Sequence, residues 1–454
     1  MHLMRRYNSG RERDQGTKPS PTPRLRDSII LQTSILAVAF FLAIGSHYFF
    51  KAASGGLATK SLGAKGLAEL RIIEAGIAIL FVVLVLRVRW HRARLSTVIL
   101  SFCGAGALFL LSLPVLLQAF GASYWLLSIM ILSGALLNEI SVYGSWVLIT
   151  TCVGKRPLHQ IAAFGVGGQV AMLLTSTAIP SLLKSYSVGT LCTFSGIGYV
   201  FAFGLLGIGM RAFAGRGIRL ESQTYWQADP IKGILGDTLS AVRISYLRAL
   251  STVIICTLIF KAGLNWNIYL LAESAPDVKT AVVLLAGFYK YSSIACIGAQ
   301  VVLVPLAFRF VTPKWGLFIL PFVGFAALGS VYLSTGYVTL FLGLALFGSL
   351  DYTVNNCMRE SLFVRMPLHA KVHVKSVMAL LVPKCGNLCG AGLVLGLTHL
   401  PSGARALVLG AVAIGWCAAA WQVRYHYVRS EDAELDVVVT CVDEAKSAES
   451  LEVG

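Results

Sequence analysis

Three polar side chains, Asp351, Asn355 and Arg359, recur every four residues inside an apolar run, and helical spacing would stack them on one face. Glu360 follows on the adjacent face. A basic link with Arg365, His369, Lys371, His373 and Lys375 comes next, and a second apolar stretch then carries Lys384 and Asn387. The chemistry on offer is anion capture: arginine presents a planar fork, lysine a point charge, and the carboxylates can form gating pairs or carry a proton. A charge at the centre of a membrane helix costs roughly 2.5 to 3.5 kcal/mol on insertion scales, so such groups are expected to face a bundle interior, pair together or line a solute path.

Other polar groups interrupt apolar runs in the same way. Lys51, in HYFFKAASGG, either snorkels to an interface from the end of a first span or serves a solute. Glu69, Arg71 and Glu74 open the next apolar run and are expected to form a structural ion-pair cluster near its edge. Asn138 and Glu139 sit deeper, where an unpaired carboxylate is costly, which points to function for Glu139. Lys261, Asn265, Trp266 and Asn267 form a patch in which Lys261 and Asn265 share a face. The Tyr289-Lys290-Tyr291 triplet could grip a phosphate through the lysine and stack a base on a tyrosine; a lysine-to-carboxylate lock of the bundle is the alternative for the lysines.

The elements that must position these groups are membrane helices. Of 454 residues 56% are hydrophobic and only 13% charged, mean hydropathy is +0.74, and apolar runs of membrane-spanning length recur throughout. The fold class is therefore all-α and polytopic. Twelve spans are expected near 29–50, 67–86, 96–118, 123–150, 160–183, 188–210, 244–271, 280–307, 314–334, 338–364, 374–397 and 404–427. Basic residues crowd alternate links: the tail before the first span, Arg87 to Arg94, Lys155 and Arg156, Arg211 to Arg243, Arg309, and Arg365 to Lys375. The positive-inside rule then puts both termini in the cytoplasm, for a multi-pass protein of the cell inner membrane.

The longest polar interruption, 211–243, falls between the sixth and seventh spans. It divides the chain into a basic tail (1–28), a six-helix half (29–210), a central loop (211–243), a second six-helix half (244–427) and an acidic, disordered tail (428–454). Arg156-Pro157-Leu158-His159 and Met366-Pro367-Leu368-His369 occupy equivalent places after the fourth and tenth spans. A transporter built of two six-helix halves would place its central loop in this way.

The net charge of +17 is spread over short links without a nucleic-acid-binding module, so anionic lipid headgroups, not nucleic acid, are the expected contact. The first span follows about 28 polar residues and reads as an anchor, not a cleavable signal. Ten cysteines lie mostly within spans and read as small buried residues; Cys385 and Cys389, four apart, lack further ligands for a metal. Gly56 to Ser61 lacks the glycine before its lysine and the strand that a phosphate loop needs, and HExxH, GxSxG and paired catalytic carboxylates do not occur. No enzyme and no cofactor are expected. Gly386 with Gly390, and Gly392 with Gly396, read as helix-packing pairs.

The run Arg359-Glu360-Ser361-Leu362, then Met366-Pro367-Leu368, then Lys371, His373 and Lys375, then Gly386 with Gly390-Ala391, resembles the late signature of the ADP/ATP translocase family of obligate intracellular bacteria and plastids. Tyr48 to Gly63 and Lys155-Arg156 with Gly165 to Gln169 resemble its earlier half. The chain departs from that pattern at His373, Ala379, Lys384 and Asn387. The resemblance implies a major-facilitator-like secondary transporter of a nucleotide or related phosphorylated metabolite, and a monomer is expected. The site residues expected from both readings are Lys51, Glu139, Lys261, Tyr289, Lys290, Asp351, Asn355, Arg359, Glu360, Lys384 and Asn387. A non-transporting receptor or scaffold with this fold, or a carrier of an unrelated solute, is the competing reading.

Overall fold

Apolar runs in a lipid environment must satisfy their backbone internally, and helices are the solution this chain takes. The computed structural model describes residues 23–87, 95–138, 158–214, 245–333, 337–355, 358–359, 378 and 381–429. Glu139, Glu360, most of the basic links and the acidic tail lie outside these residues. The elements in order are α1 (Pro23–Arg87), α2 (Leu95–Phe120), α3 (Tyr124–Asn138), α4 (Leu158–Ser185), α5 (Val188–Ala214), α6 (Ser245–Glu273), α7 (Val278–Gly298), α8 (Val304–Phe310), α9 (Pro313–Gly316), α10 (Ile319–Leu333), α11 (Tyr337–Leu350), α12 (Val382–Leu397) and α13 (Ser402–Arg429). Wide π turns, Ala299–Leu303 and Asp351–Asn355, extend α7 and α11.

Eight of these stretches are long and apolar enough to cross a membrane, and α3, α10 and α12 are shorter apolar helices. The first stretch breaks at Gly63, at φ 71° and ψ 171°, a backbone region open essentially to glycine alone. It thus supplies two arms, and the apolar arms among the described residues come to the twelve expected. Their outer faces are apolar as well: Leu108, Val115, Phe322 and Leu407 are 65–77% exposed, a pattern suited to lipid and not to water.

The first correction concerns α1. The expected first span stops at 50, yet the helix runs on through Lys51 to residue 62, and Gly63 alone turns the chain. α1 begins at Pro23, α5 runs to Ala214 and α13 to Arg429.

Packing follows the lipid logic, in which close contact between small residues replaces the hydrophobic effect. α1 lies against α3, α4 and α5; α6 lies against α12 and α13, and α11 against α7 and α10. The first and last six arms meet where α7 crosses α4 and α1 and where α12 crosses α1. In the second group Phe260, Phe347 and Trp416 form an aromatic knot with ring centroids 5.4 to 6.2 Å apart. Gly386 and Gly390 seat α12 on α6: a Cβ at Gly390 would lie 2.9 Å from the Ala262 Cβ and 3.2 Å from the Leu258 carbonyl oxygen. Gly392 and Gly396 have open space around them, so that expected packing pair makes no close contact among the described residues. Cys103, Cys192 and Cys296 are buried as expected, whereas Cys389 is exposed.

Candidate functional site

Because α1 continues to the Gly63 turn, Lys51 sits twelve residues below it, about 18 Å at ~1.5 Å per residue, near the middle of a ~30 Å hydrocarbon core. That depth puts the near interface beyond a four-carbon stem and removes the snorkelling alternative. The Lys51 ammonium lies 5.3 Å from the Tyr48 ring centroid and 5.1 Å from that of Tyr289. The two rings meet edge to face at 5.2 Å and 67°. Rings placed this way hold a cation by their quadrupoles, and among the described residues no carboxylate lies within ion-pair distance of Lys51.

Two ion pairs flank this lysine. Arg71 and Glu74 pair on the second arm of α1, roughly 12 and 17 Å below the turn by the same rise. The cluster expected at the membrane edge therefore reaches inward, and Lys51 is within electrostatic reach of both its members and of Lys261. On the other side Lys261 Nζ donates to Asp351 Oδ2 at 2.7 Å, with 35% and 13% of the two side chains exposed. Asp351 opens the π turn, and its Oδ1 accepts a bond from Asn355 Nδ2 at 3.2 Å. The expected alignment of Asp351 with Asn355 is thus realised as a hydrogen bond, inside a turn type often found at functional sites. Ser349 donates to the Ser292 carbonyl at 3.3 Å and ties this segment to α7.

The remaining expected residues divide. Arg359 is half-buried and within electrostatic reach of Lys261. Tyr289 is buried, with its ring engaged by Lys51 and Tyr48 and not open for a base. Tyr291 is 46% exposed and neighbours Phe341. Lys290 and Lys384 are half-buried, and Asn387 is exposed on α12. Glu139 and Glu360 fall outside the described residues.

Three groups were not singled out as site residues from the sequence. Arg71 and Glu74 lie deeper than the expected edge because the second arm starts at the Gly63 turn and not at the expected residue 67. His47 has a buried Nδ1 without a hydrogen-bond partner among the described residues, an edge contact to Tyr48 at 5.5 Å, and electrostatic reach to Lys51 and Arg71. Its signal was its place one turn before Lys51 on the same helix.

Above the cluster, the end of the bundle that carries the Gly63 turn is laced shut. Lys60 Nζ donates to the carbonyls of Glu273 at 3.0 Å and Ala275 at 2.7 Å. The Ala64 backbone N–H donates to Glu273 Oε2 at 3.0 Å, and Lys279 Nζ donates to the Leu183 carbonyl at 3.0 Å. Each of these bonds joins the first six arms to the last six. Asp277 caps α7 by accepting the Thr280 backbone N–H at 2.6 Å, and that bond holds its carboxyl below the usual range. A cleft of about 260 Å³ remains between Lys65, Trp266, Leu270, Glu273, His399 and Arg405.

No protein-family model matches this sequence, and no curated protein matches it. Solved structures do. The chain is similar to an auto-inhibited POT family peptide transporter, at 15% identity and TM-score 0.59, over 88% of this chain and 97% of that one. It is similar to the nucleoside transporter NupG, at 15% identity and TM-score 0.58, over 87% and 98%, and to the E. coli fucose:proton symporter FucP, at 14% identity and TM-score 0.54, over 88% and 99%. These likenesses support a divergent member of that architecture and not the ADP/ATP translocase family in particular. The chain is an all-α, polytopic membrane protein with the fold of major-facilitator-type transporters.

Proposed function

We propose that this protein is a secondary transporter of an anionic solute, working by alternating access between two six-helix halves. The observation that carries the reading is the charge at mid-membrane: Lys51 stands within electrostatic reach of Arg71 and of Lys261, and those two are matched by the carboxylates of Glu74 and Asp351. Both carboxylates are already paired, so the surplus is positive and centred on Lys51. A cation at that depth held only by ring faces gains from an anion that enters beside it. The two ion pairs, one in each half, are the groups that would exchange partners as the halves rock.

For substrate class we propose a nucleotide or related phosphorylated metabolite. Support comes from the resemblance around Arg359 to Lys384 and from the surplus of cations. The geometry changes how a base would be held: Tyr289 faces Lys51, so a stacked base needs that ammonium to swing onto the phosphate first.

The test is uptake by reconstituted protein of labelled ATP, ADP, glucose phosphate, inorganic phosphate, a nucleoside and a dipeptide. Saturable flux of one or more anions, lost in Lys51→Ala, is expected. Equal carriage of the uncharged nucleoside and the anions would remove the anionic reading, preference for inorganic or sugar phosphate would remove the nucleotide, and binding without flux would favour a scaffold.

A further inference from the structure

At the end of the bundle opposite the Gly63 turn, α13 carries an arginine in an unusual setting. Arg424 lies 22 residues beyond Ser402, about 33 Å along the helix, one hydrocarbon thickness from the end where α13 begins. Its guanidinium carbon is 3.7 Å from the ring centroid of Trp315 and 4.6 Å from that of Trp421. Phe318 braces both indoles, at 5.8 Å from Trp315 and 6.3 Å from Trp421. The Arg424 Nε is buried with no hydrogen-bond partner among the described residues, and none of their carboxylates forms an ion pair with it.

We propose that Arg424, framed by Trp315 and Trp421, is a binding site for the headgroup phosphate of an anionic phospholipid. A guanidinium whose faces are turned to aromatic rings keeps its N–H donors in the plane of the fork, and that edge matches two phosphate oxygens. The charge is permanent, and because Nε is covered by the protein, the terminal N–H groups of the half-buried side chain are the donors left for a phosphate.

The rest of the helix argues for lipid over a soluble phosphate. Leu407, Ile414 and Trp421 are spaced by seven residues, hence on one face, and are 77%, 64% and 54% exposed. This apolar stripe runs about 21 Å along the helix, more than one leaflet of a ~30 Å core, and ends at the Arg424 frame, as an acyl chain below its headgroup would require. Trp315 is 46% exposed and Tyr425 53%, consistent with a belt of amphipathic rings at headgroup level. The site is separate from the central cluster, and its test does not depend on transport.

The full chain, purified in detergent, would be titrated with phosphatidylglycerol or phosphatidylcholine of the same acyl chains, and bound lipid counted by native mass spectrometry. Wild type is expected to retain phosphatidylglycerol and not phosphatidylcholine, with millimolar inorganic phosphate unable to displace it. Arg424→Gln should weaken retention about tenfold or more, and Arg424→Lys should lose most of it because the fork is gone. Trp421→Leu keeps the charge and should weaken retention several-fold, which provides the test if the arginine variants fail to fold. Wild-type retention in monodisperse Arg424→Gln or in Trp421→Leu would overturn the site. Full retention in Arg424→Lys would reduce it to general charge attraction, and displacement by inorganic phosphate would reassign it to a soluble anion; either result overturns the proposal.

Discussion

Gly63→Ala acts on two things that can be measured apart. The backbone at φ 71°, ψ 171° would cost an L-residue roughly 1 to 3 kcal/mol. The turn is local, so that strain falls on every conformation of the bundle and lowers stability without favouring one state. The new Cβ, however, would lie 2.9 Å from Glu273 Oε1. The carboxylate is the free end of a flexible side chain and can move aside, but its other oxygen accepts the Ala64 N–H. That bond joins the two groups of helices and, in the proposed cycle, exists only while this end is closed. A hydrogen bond to a charged group contributes about 1.5 to 3 kcal/mol, so losing it should shift the closed-to-open ratio by about 10- to 150-fold. A Leu270→Cys reporter on the cleft wall, in a chain stripped of its native cysteines, would read the opening as the rate of reaction with an impermeant maleimide. Gly63→Ala should raise that rate within this range, and Glu273→Gln, which keeps an acceptor but not the charge, by a smaller factor. In the combined variant the effects should not add, since both act through one bond. No change of rate in either single variant, or full additivity, would refute the latch.

The Lys261–Asp351 pair should behave as a coupled unit. Asp351→Asn or Lys261→Met alone leaves one partly buried ion without its partner and should destabilise the purified protein by about 2 to 4 kcal/mol, below the 3 to 5 of a fully buried pair because Lys261 is one-third exposed. The double variant should recover most of the loss in thermal-unfolding assays, and independent, additive losses would show that the contact is incidental. Gly390→Leu should separate α12 from α6, because the added side chain meets the Leu258 carbonyl and not a movable tip. A loss of about 1 to 3 kcal/mol is expected, against little effect for Gly392→Leu, which has open space, and equal effects at the two positions would contradict the packing described.

The number and placement of the spans were legible because most apolar runs are longer than a soluble core helix needs, with α3, α10 and α12 the shorter ones. The first span was not. Its Gly55-Gly56 pair and Lys51 look like turn and interface signals in a soluble grammar, but a membrane helix tolerates glycine where a neighbour crosses closely. A Cβ at Gly56 would stand 3.1 Å from the Val282 backbone nitrogen, so these glycines admit α7 and do not end α1. Moving that boundary carried Lys51 from the edge to mid-membrane, and the start of the second arm at Gly63, not at 67, carried Arg71 and Glu74 inward. Asp351 and Asn355 were legible as neighbours because they lie one turn apart. The partner of Asp351 was not, since Lys261 is 90 positions away and only the packing of α6 beside α11 brings them together. The engagement of Tyr289 by Lys51 was hidden for the same reason.

The short connections on the Gly63 side have a practical consequence. Gly63 alone joins the arms of α1, Gly121 to Ser123 join α2 to α3, Tyr186 and Ser187 join α4 to α5, Ser274 to Asp277 join α6 to α7, and Thr398 to Pro401 join α12 to α13. Among the described residues, helix ends make up nearly all of that face. Antibodies favour protruding, adaptable loops, and inserted tags survive at loop tips, so this side offers an immune system or an engineer almost nothing to hold. A fiducial or affinity handle belongs on the opposite face. A binder selected against the Gly63 side would have to insert a narrow finger into the cleft beside Arg405, and by filling it would report on, and restrain, the closed arrangement of the bundle.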